Sequence, residues 1–344
     1  MMKKATCFIG GILLLSFIGL KVKKNIFTYP EYWPKPVYDI IKKPVTEEGF
    51  QLGRALFYDP ILSKDNTISC ASCHLQASGF THIDHDLSHG IEGKIGTRNS
   101  LAIMNSAWSD SFMWDGGINH LEVQALAPLT SDVEMGETLE NVVRKLDTIP
   151  FYKKMFYKAF QDSTITGQRV LLGLTQFTVM LNTYNSKYDK YIRKEVGGEF
   201  TAQEKNGLKL FRNNCASCHT EPLFSTNKFK NNGLAVDTTL NDYGRMKITQ
   251  NPKDSLKFKV PTLRNIQFTK PYMHDGRFET LQEVITHYTN GIQQSKTLSE
   301  ELKDPILLSH REKVDLLVFL RTLTDKEFLF DKRFSFPKAL ITQK

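Results

Sequence analysis

The pentapeptide Cys-Ala-Ser-Cys-His occurs twice in this 344-residue chain, at residues 70–74 and again at residues 215–219. Two thiols spaced Cys-x-x-Cys, with a histidine directly after the second, suit covalent attachment of a c-type haem. The thiols form thioethers to the porphyrin and the histidine becomes the proximal iron ligand. Cys70, Cys73, Cys215 and Cys218 are therefore the expected attachment residues, and His74 and His219 the expected axial ligands. A zinc reading would need four soft ligands converging on one ion, and the histidine that closes each motif argues against it. The fifth cysteine, Cys7, lies in an N-terminal apolar segment, so no pair remains for a disulfide.

What each iron can do depends on its other face. A second strong ligand makes an electron-transfer haem, and an open or displaceable position allows chemistry. In the second module Thr280 is expected to cap a helix running to Gly291. Leu281, Val284, Ile285 and Tyr288 share one face of it, and His287 lies about 100° away. That spacing favours Tyr288 as an axial ligand, with Met273 as the rival and a packed core tyrosine as the plain alternative. In the first module His82, His85 and His89 follow the motif on a loop, where one histidine could cap the iron or all three could simply be exposed. Farther on, Asn119 to Ala127 reads as a short helix stopped by Pro128, with Gln124 pointing inward. Glu134 follows on a loop, where a carboxylate over an open haem would carry protons.

These residues need elements to position them, and an internal repeat supplies two sets. Gly53-Arg54-Ala55-Leu56-Phe57 precedes the first motif and Gly207-Leu208-Lys209-Leu210-Phe211 the second. Downstream, Arg98-Asn99 and Met113-Trp114-Asp115-Gly116 are echoed by Arg264-Asn265 and Met273-His274-Asp275-Gly276. Capping boxes stand at Thr201/Glu204, Thr280/Glu283 and Ser309/Glu312. Leu139, Val142, Val143 and Leu146 show helical spacing, as do Val170, Leu174, Phe177 and Leu181, and strand signals are sparse. Stretches 81–100 and 221–262 read as loops. The expected fold is mainly α, with two cytochrome c-like haem domains in tandem. The boundaries fall at a leader over 1–24, a first domain over 25–195 and a second over 196–344, whose C-terminal tail can return to the first.

The net charge of +8 does not point to nucleic acid. Five of those charges are Lys3, Lys4, Lys21, Lys23 and Lys24, which flank the apolar run Ala5 to Leu20, so the body carries only +3. Lysines around such a run mark a secretion signal or signal anchor, and the absence of an Ala-x-Ala-like site favours an uncleaved anchor. The body is thus expected in the periplasm, held at the inner membrane if the leader stays.

At this point the chain resembles the bacterial dihaem cytochrome c peroxidases and their relative, the methylamine-utilisation dihaem enzyme, over residues 35–335. The resemblance rests on both Cys-Ala-Ser-Cys-His motifs, Thr97-Arg98-Asn99, Trp114-Asp115-Gly116, Gln124, Val133-Glu134-Met135, Phe258 to Asn265, and Pro271 to Gly276. It implies that the first haem is the peroxidatic site, with Gln124 and Glu134 on its distal side. Trp114 would be the electron path to the second haem, which takes electrons from a small donor protein of cytochrome c or cupredoxin type. It also implies a calcium ion between the domains, held at the positions of Asn99, Thr269 and Pro271, and often a homodimer. His89 stands near the displaceable distal histidine of some members. Tyr288 falls where the peroxidases usually have methionine and the methylamine-utilisation enzyme has tyrosine. A tyrosinate lowers the reduction potential. The leading expectation is therefore reduction of hydrogen peroxide to water, the second is peroxide-driven oxidation of residues on a partner protein, and the third is a dihaem electron carrier without catalysis.

Overall fold

A computed structural model describes residues 24–342 and residue 344; apart from Lys24, the expected leader and Cys7 lie outside the described residues. Among the described residues no helix is long and apolar enough to cross a membrane. The fold is mostly helical, and its β-structure is little more than Phe229–Lys230 paired antiparallel with Phe258–Lys259.

Two cores organise the chain, each built on a pair of closely crossing helices. In the first, the Glu47–Tyr58 helix packs on the Gly167–Val179 helix, burying Phe50, Leu52, Leu56 and Phe57 against Val170, Leu174 and Phe177. In the second, the Ala202–Asn214 helix packs on the His310–Arg321 helix through Leu208, Phe211, Leu316 and Phe319. The repeat glycine sits at each crossing. A Cβ on Gly53 would stand 2.0 Å from the Gly173 carbonyl, and one on Gly207 would stand 2.1 Å from the Asp315 carbonyl. The backbones approach closely because no side chain intervenes.

The expected capping boxes are all formed, at Thr201/Glu204, Thr280/Glu283 and Ser309/Glu312. Two local expectations change. Pro128 does not stop a helix: the segment is two short pieces, Leu121–Gln124 and Leu126–Thr130, with Pro128 in the first turn of the second. A first-turn N–H has no intrahelical acceptor, so proline costs nothing there. The helix capped by Thr280 is α-helical only over Leu281–Thr286 and continues as a wider π turn over His287–Gly291. Thr289 Oγ1 bonds back to the Ile285 and Thr286 carbonyls (3.0 and 3.2 Å), where side-chain bonding loosens a helix. Tyr188, Tyr191 and Ile192 of the Lys187–Arg193 helix pack with the second core, whereas Tyr184 packs with the first.

The cores are tied together by buried charge. Arg264 is fully buried and forms a paired bond with Asp189, at 2.8 Å twice, while its guanidinium lies 4.6 Å from the Trp33 ring. Arg98 bonds Asp242 (2.6 and 3.0 Å) and Asp115 (2.6 Å). The C-terminal segment returns to the first core: Phe328, Leu329 and Phe334 are buried in it, and Tyr58 Oη donates to the Phe334 carbonyl (2.8 Å).

Candidate active site

Each Cys-x-x-Cys-His motif follows a helix of its core and is held alike. His74 Nδ1 bonds the Phe80 carbonyl (2.8 Å), and His219 Nδ1 bonds those of Phe224 and Pro261 (both 3.1 Å). Phe80 and Phe224 both have positive φ, of 60° and 53°, which turns their carbonyls toward the rings. With Nδ1 committed to a carbonyl, Nε2 is left to bind a metal. Burial keeps both rings neutral, pushing His219 down to about 4 and His74 in the same direction. Burial also pushes the Cys70 and Cys215 thiols up to about 12. Among the described residues no three His, Cys, Asp or Glu side chains gather as a metal cluster, so the four cysteines do not converge on one ion. Two separate thiol pairs, each beside a neutral histidine, fit two covalent haems.

In the second module these groups face a mostly apolar cavity. Cys215, Cys218 and His219 line it with Leu281, Val284, Ile285 and Leu316. Tyr288 and Met273 are on its wall, but His287 is not. His287 Nε2 is taken by the Asn232 carbonyl (2.9 Å) and its ring lies against Phe278. Asn232 Nδ2 also reaches the Met273 sulfur (3.4 Å). Burial pushes the Tyr288 phenol up to about 12, so iron would have to displace its proton for it to bind as a tyrosinate.

In the first module Glu134 is half-buried, and burial holds its carboxyl above the usual range. Its charge bears on both Cys70 and Cys73. The Cys73 thiol contacts the His89 carbonyl (3.5 Å). The three loop histidines are not a row of free side chains: His82 stacks on His85 (5.1 Å) and His85 on His89 (4.0 Å, 4° between planes). Of the three only His85 is exposed, and His82 Nδ1 is buried without a hydrogen-bond partner among the described residues. Gly90 wedges this loop against the Glu134 segment, where a Cβ would stand 2.3 Å from the Val133 carbonyl. Ile91 N–H donates to the Glu134 carbonyl (2.8 Å). Gln124 Nε2 reaches the Met113 sulfur (3.7 Å).

Trp114 joins the two modules. Its sequence belongs to the first, yet it lines the second cavity. Its indole N–H donates to the Asn99 carbonyl (2.9 Å), and Asn99 N–H donates to the His274 carbonyl (2.7 Å). The Asn99 side chain is engaged by the Asp86 carbonyl (2.9 Å), and Thr269 packs beside Gly79.

The chain is 34% identical over 317 residues to the methylamine utilization protein MauG of Methylorubrum extorquens, covering 88% of this chain and 85% of that protein. The chain belongs to the di-haem cytochrome c peroxidase family. The model of that family matches residues 47–197. The cytochrome c551 peroxidase of Nitrosomonas europaea is 33% identical over 290 residues, 82% of each chain. Among solved structures, a MauG-like protein associated with microbial copper homeostasis superposes with a TM-score of 0.78 at 32% identity, covering 90% of this chain and 98% of that one. As a di-haem cytochrome c peroxidase family member, the chain is an oxidoreductase with two c-type haems.

Two residues of the site carried no signal of their own in the sequence. Asn232 sits behind Tyr288, His287 and Met273 at once, and only the turn-forming Asn232-Gly233 pair could have drawn notice. Lys259 stood inside a motif as one of many lysines, but it is buried on the wall of the second cavity.

Proposed function

We propose that the protein reduces hydrogen peroxide to water in the periplasm, using two electrons and two protons per peroxide and a small cytochrome c or cupredoxin as electron donor. The haems supply the iron that binds peroxide and the store for the two electrons. The residues supply the rest. Glu134 takes a proton from the near oxygen of the bound peroxide on its carboxylate and returns it to the far oxygen, so that water can leave. Gln124 orients the peroxide. Electrons cross from the second module to the first by way of Trp114. Asn99, Thr269 and Pro271 hold a calcium ion at this border, and His89 is the displaceable ligand of the first iron. The leader exports the body, anchors it if uncleaved, and the enzyme works as a homodimer.

The observation that carries this reading is the raised carboxyl of Glu134 beside the first thiol pair, without a cationic partner among the described residues. An acid whose charged form is disfavoured by burial is suited to passing a proton on. Glu134→Gln is expected to lose turnover while both haems remain attached, as counted by their absorbance after alkaline pyridine treatment. Turnover at the wild-type rate would reject the assignment.

A second reading is favoured by Tyr288 on the wall of the second cavity. There the electrons come from side chains of a partner protein, which are oxidised at the expense of peroxide. A peroxide-dependent crosslink or radical in a co-purified partner, lost in Trp114→Phe, would select it. Full activity with soluble donors alone would count against it.

A further inference from the structure

Lys259 is a buried ammonium that lacks an ion-pair partner among the described residues. Only 7% of the residue is exposed, and it lines the cavity that holds His219 and Tyr288. Its Nζ donates to Ser109 Oγ (3.0 Å) and the Ser111 carbonyl (2.5 Å), both neutral, and lies 5.5 Å from the centre of the Phe112 ring. Asp110 is the acidic group that acts on it, and only from beyond ion-pair distance; burial dominates and pushes Lys259 down to about 8. The other lysine on the cavity wall, Lys230, is already paired with Glu301.

A buried charge without a partner is strongly disfavoured, so such a site is normally completed by an opposite charge. A haem attached through Cys215 and Cys218 brings carboxylates of its own into this cavity as its two propionates. We propose that Lys259 is the counter-ion of a propionate of the second haem, and that its main-chain bond to Trp114 couples that edge of the haem to the path between the modules. The coupling is a single hydrogen bond: Lys259 N–H donates to the Trp114 carbonyl at 2.7 Å. An ammonium–carboxylate pair here is charge-assisted on both sides and shielded from water. Lys259 is thus a positioning residue, acting on the haem edge and through it on the potential of the second iron. A positive charge near an iron favours its reduced state, so loss of this one lowers the potential.

The inference rests on the reading that this cavity takes the second haem. It is tested on the full-length, haem-loaded protein with Lys259→Met and Lys259→Arg, after confirming haem on Cys215 and Cys218 by peptide mass. Resonance Raman bands of the propionate bending modes are recorded, and the potential of the second haem is measured by spectroelectrochemistry. Lys259→Met is expected to shift one propionate band and to change the reduction equilibrium at least tenfold toward the oxidised state, which is 59 mV for one electron. Lys259→Arg is expected to stay within about threefold of wild type, since it keeps the charge. Unchanged bands and potential in Lys259→Met, with both haems attached, would overturn the proposal. So would a potential change without a band change, which would make Lys259 a remote charge. If Lys259→Met folds poorly, Lys259→Gln is read the same way. Wild-type protein without haem on Cys215 and Cys218 would instead refute the reading of the cavity.

Discussion

The indole of Trp114 is fixed by the carbonyl of Asn99, with Nε1 donating at 2.9 Å from a side chain that is 8% exposed. The same Asn99 donates its own N–H to the His274 carbonyl across the module border. Trp114 therefore has one orientation, set from both modules. Trp114→Phe keeps the aromatic bulk and removes the donor. It leaves the Asn99 carbonyl short of a partner, at a cost of about 1–3 kcal/mol. Electron transfer between the haems, followed by stopped-flow absorbance, is expected to slow at least tenfold while haem content is unchanged. An unaltered rate would remove Trp114 from the path.

Burial raises the Glu134 carboxyl above its ordinary value of 4.5. If this group accepts the peroxide proton, it must be ionised, and activity must fall as pH drops through its pKa. The acid limb of the turnover profile is thus expected above pH 4.5. Activity that stays full down to that pH would exclude Glu134 as the base.

Asp242 shows the opposite shift. Burial alone would raise its carboxyl, but the Arg98 guanidinium outweighs this and holds it at about 2, against an ordinary 3.8. A carboxyl lowered by folding contributes stability that is complete above the unfolded pKa and is lost as pH falls through the folded one. Its contribution should therefore fade between pH 3.8 and about 2. Asp242→Asn is expected to cost about 1–3 kcal/mol at neutral pH, less than a fully broken buried pair because Asp115 still holds Arg98. The variant should also lose part of the acid dependence of urea unfolding in that window. An identical dependence would show that Arg98 and Asp242 are not coupled in solution.

The crossing glycines give a stability test that does not involve haem chemistry. Gly53→Ala and Gly207→Ala would each set a methyl about 2 Å from a backbone carbonyl, so the helices must part. Overpacking of this kind costs about 1–3 kcal/mol. Both should lower the urea midpoint, whereas alanine at Gly197, which has nothing within 4 Å, is limited to the strain of its positive φ. Stabilisation by either crossing substitution would contradict the close approach.

Much of this architecture was legible because it is written in short local codes. Thr280 and Glu283 announce a helix start, and the lead-ins beginning at Gly53 and Gly207 announce a repeated module. Features set by distant partners were not legible. Pro128 looks like a stop until the neighbouring helix piece is seen to begin only two residues earlier. His82, His85 and His89 read as separate loop residues because nothing in their spacing announces stacked rings. His287 is withdrawn from the cavity by the carbonyl of Asn232, a residue 55 positions away. Lys259 gains its meaning only from Ser109 and Ser111, contributed by the other module.

The return of the C-terminal segment has a consequence for the first site. Phe328, Leu329 and Phe334 fill the core around Phe50, Phe57 and Phe80, and the Phe80 carbonyl is the one that orients His74. The surroundings of His74 are therefore completed by a segment encoded far downstream of it. A fragment ending before Phe328 would leave the packing around Phe80, and with it the support of His74, unfinished.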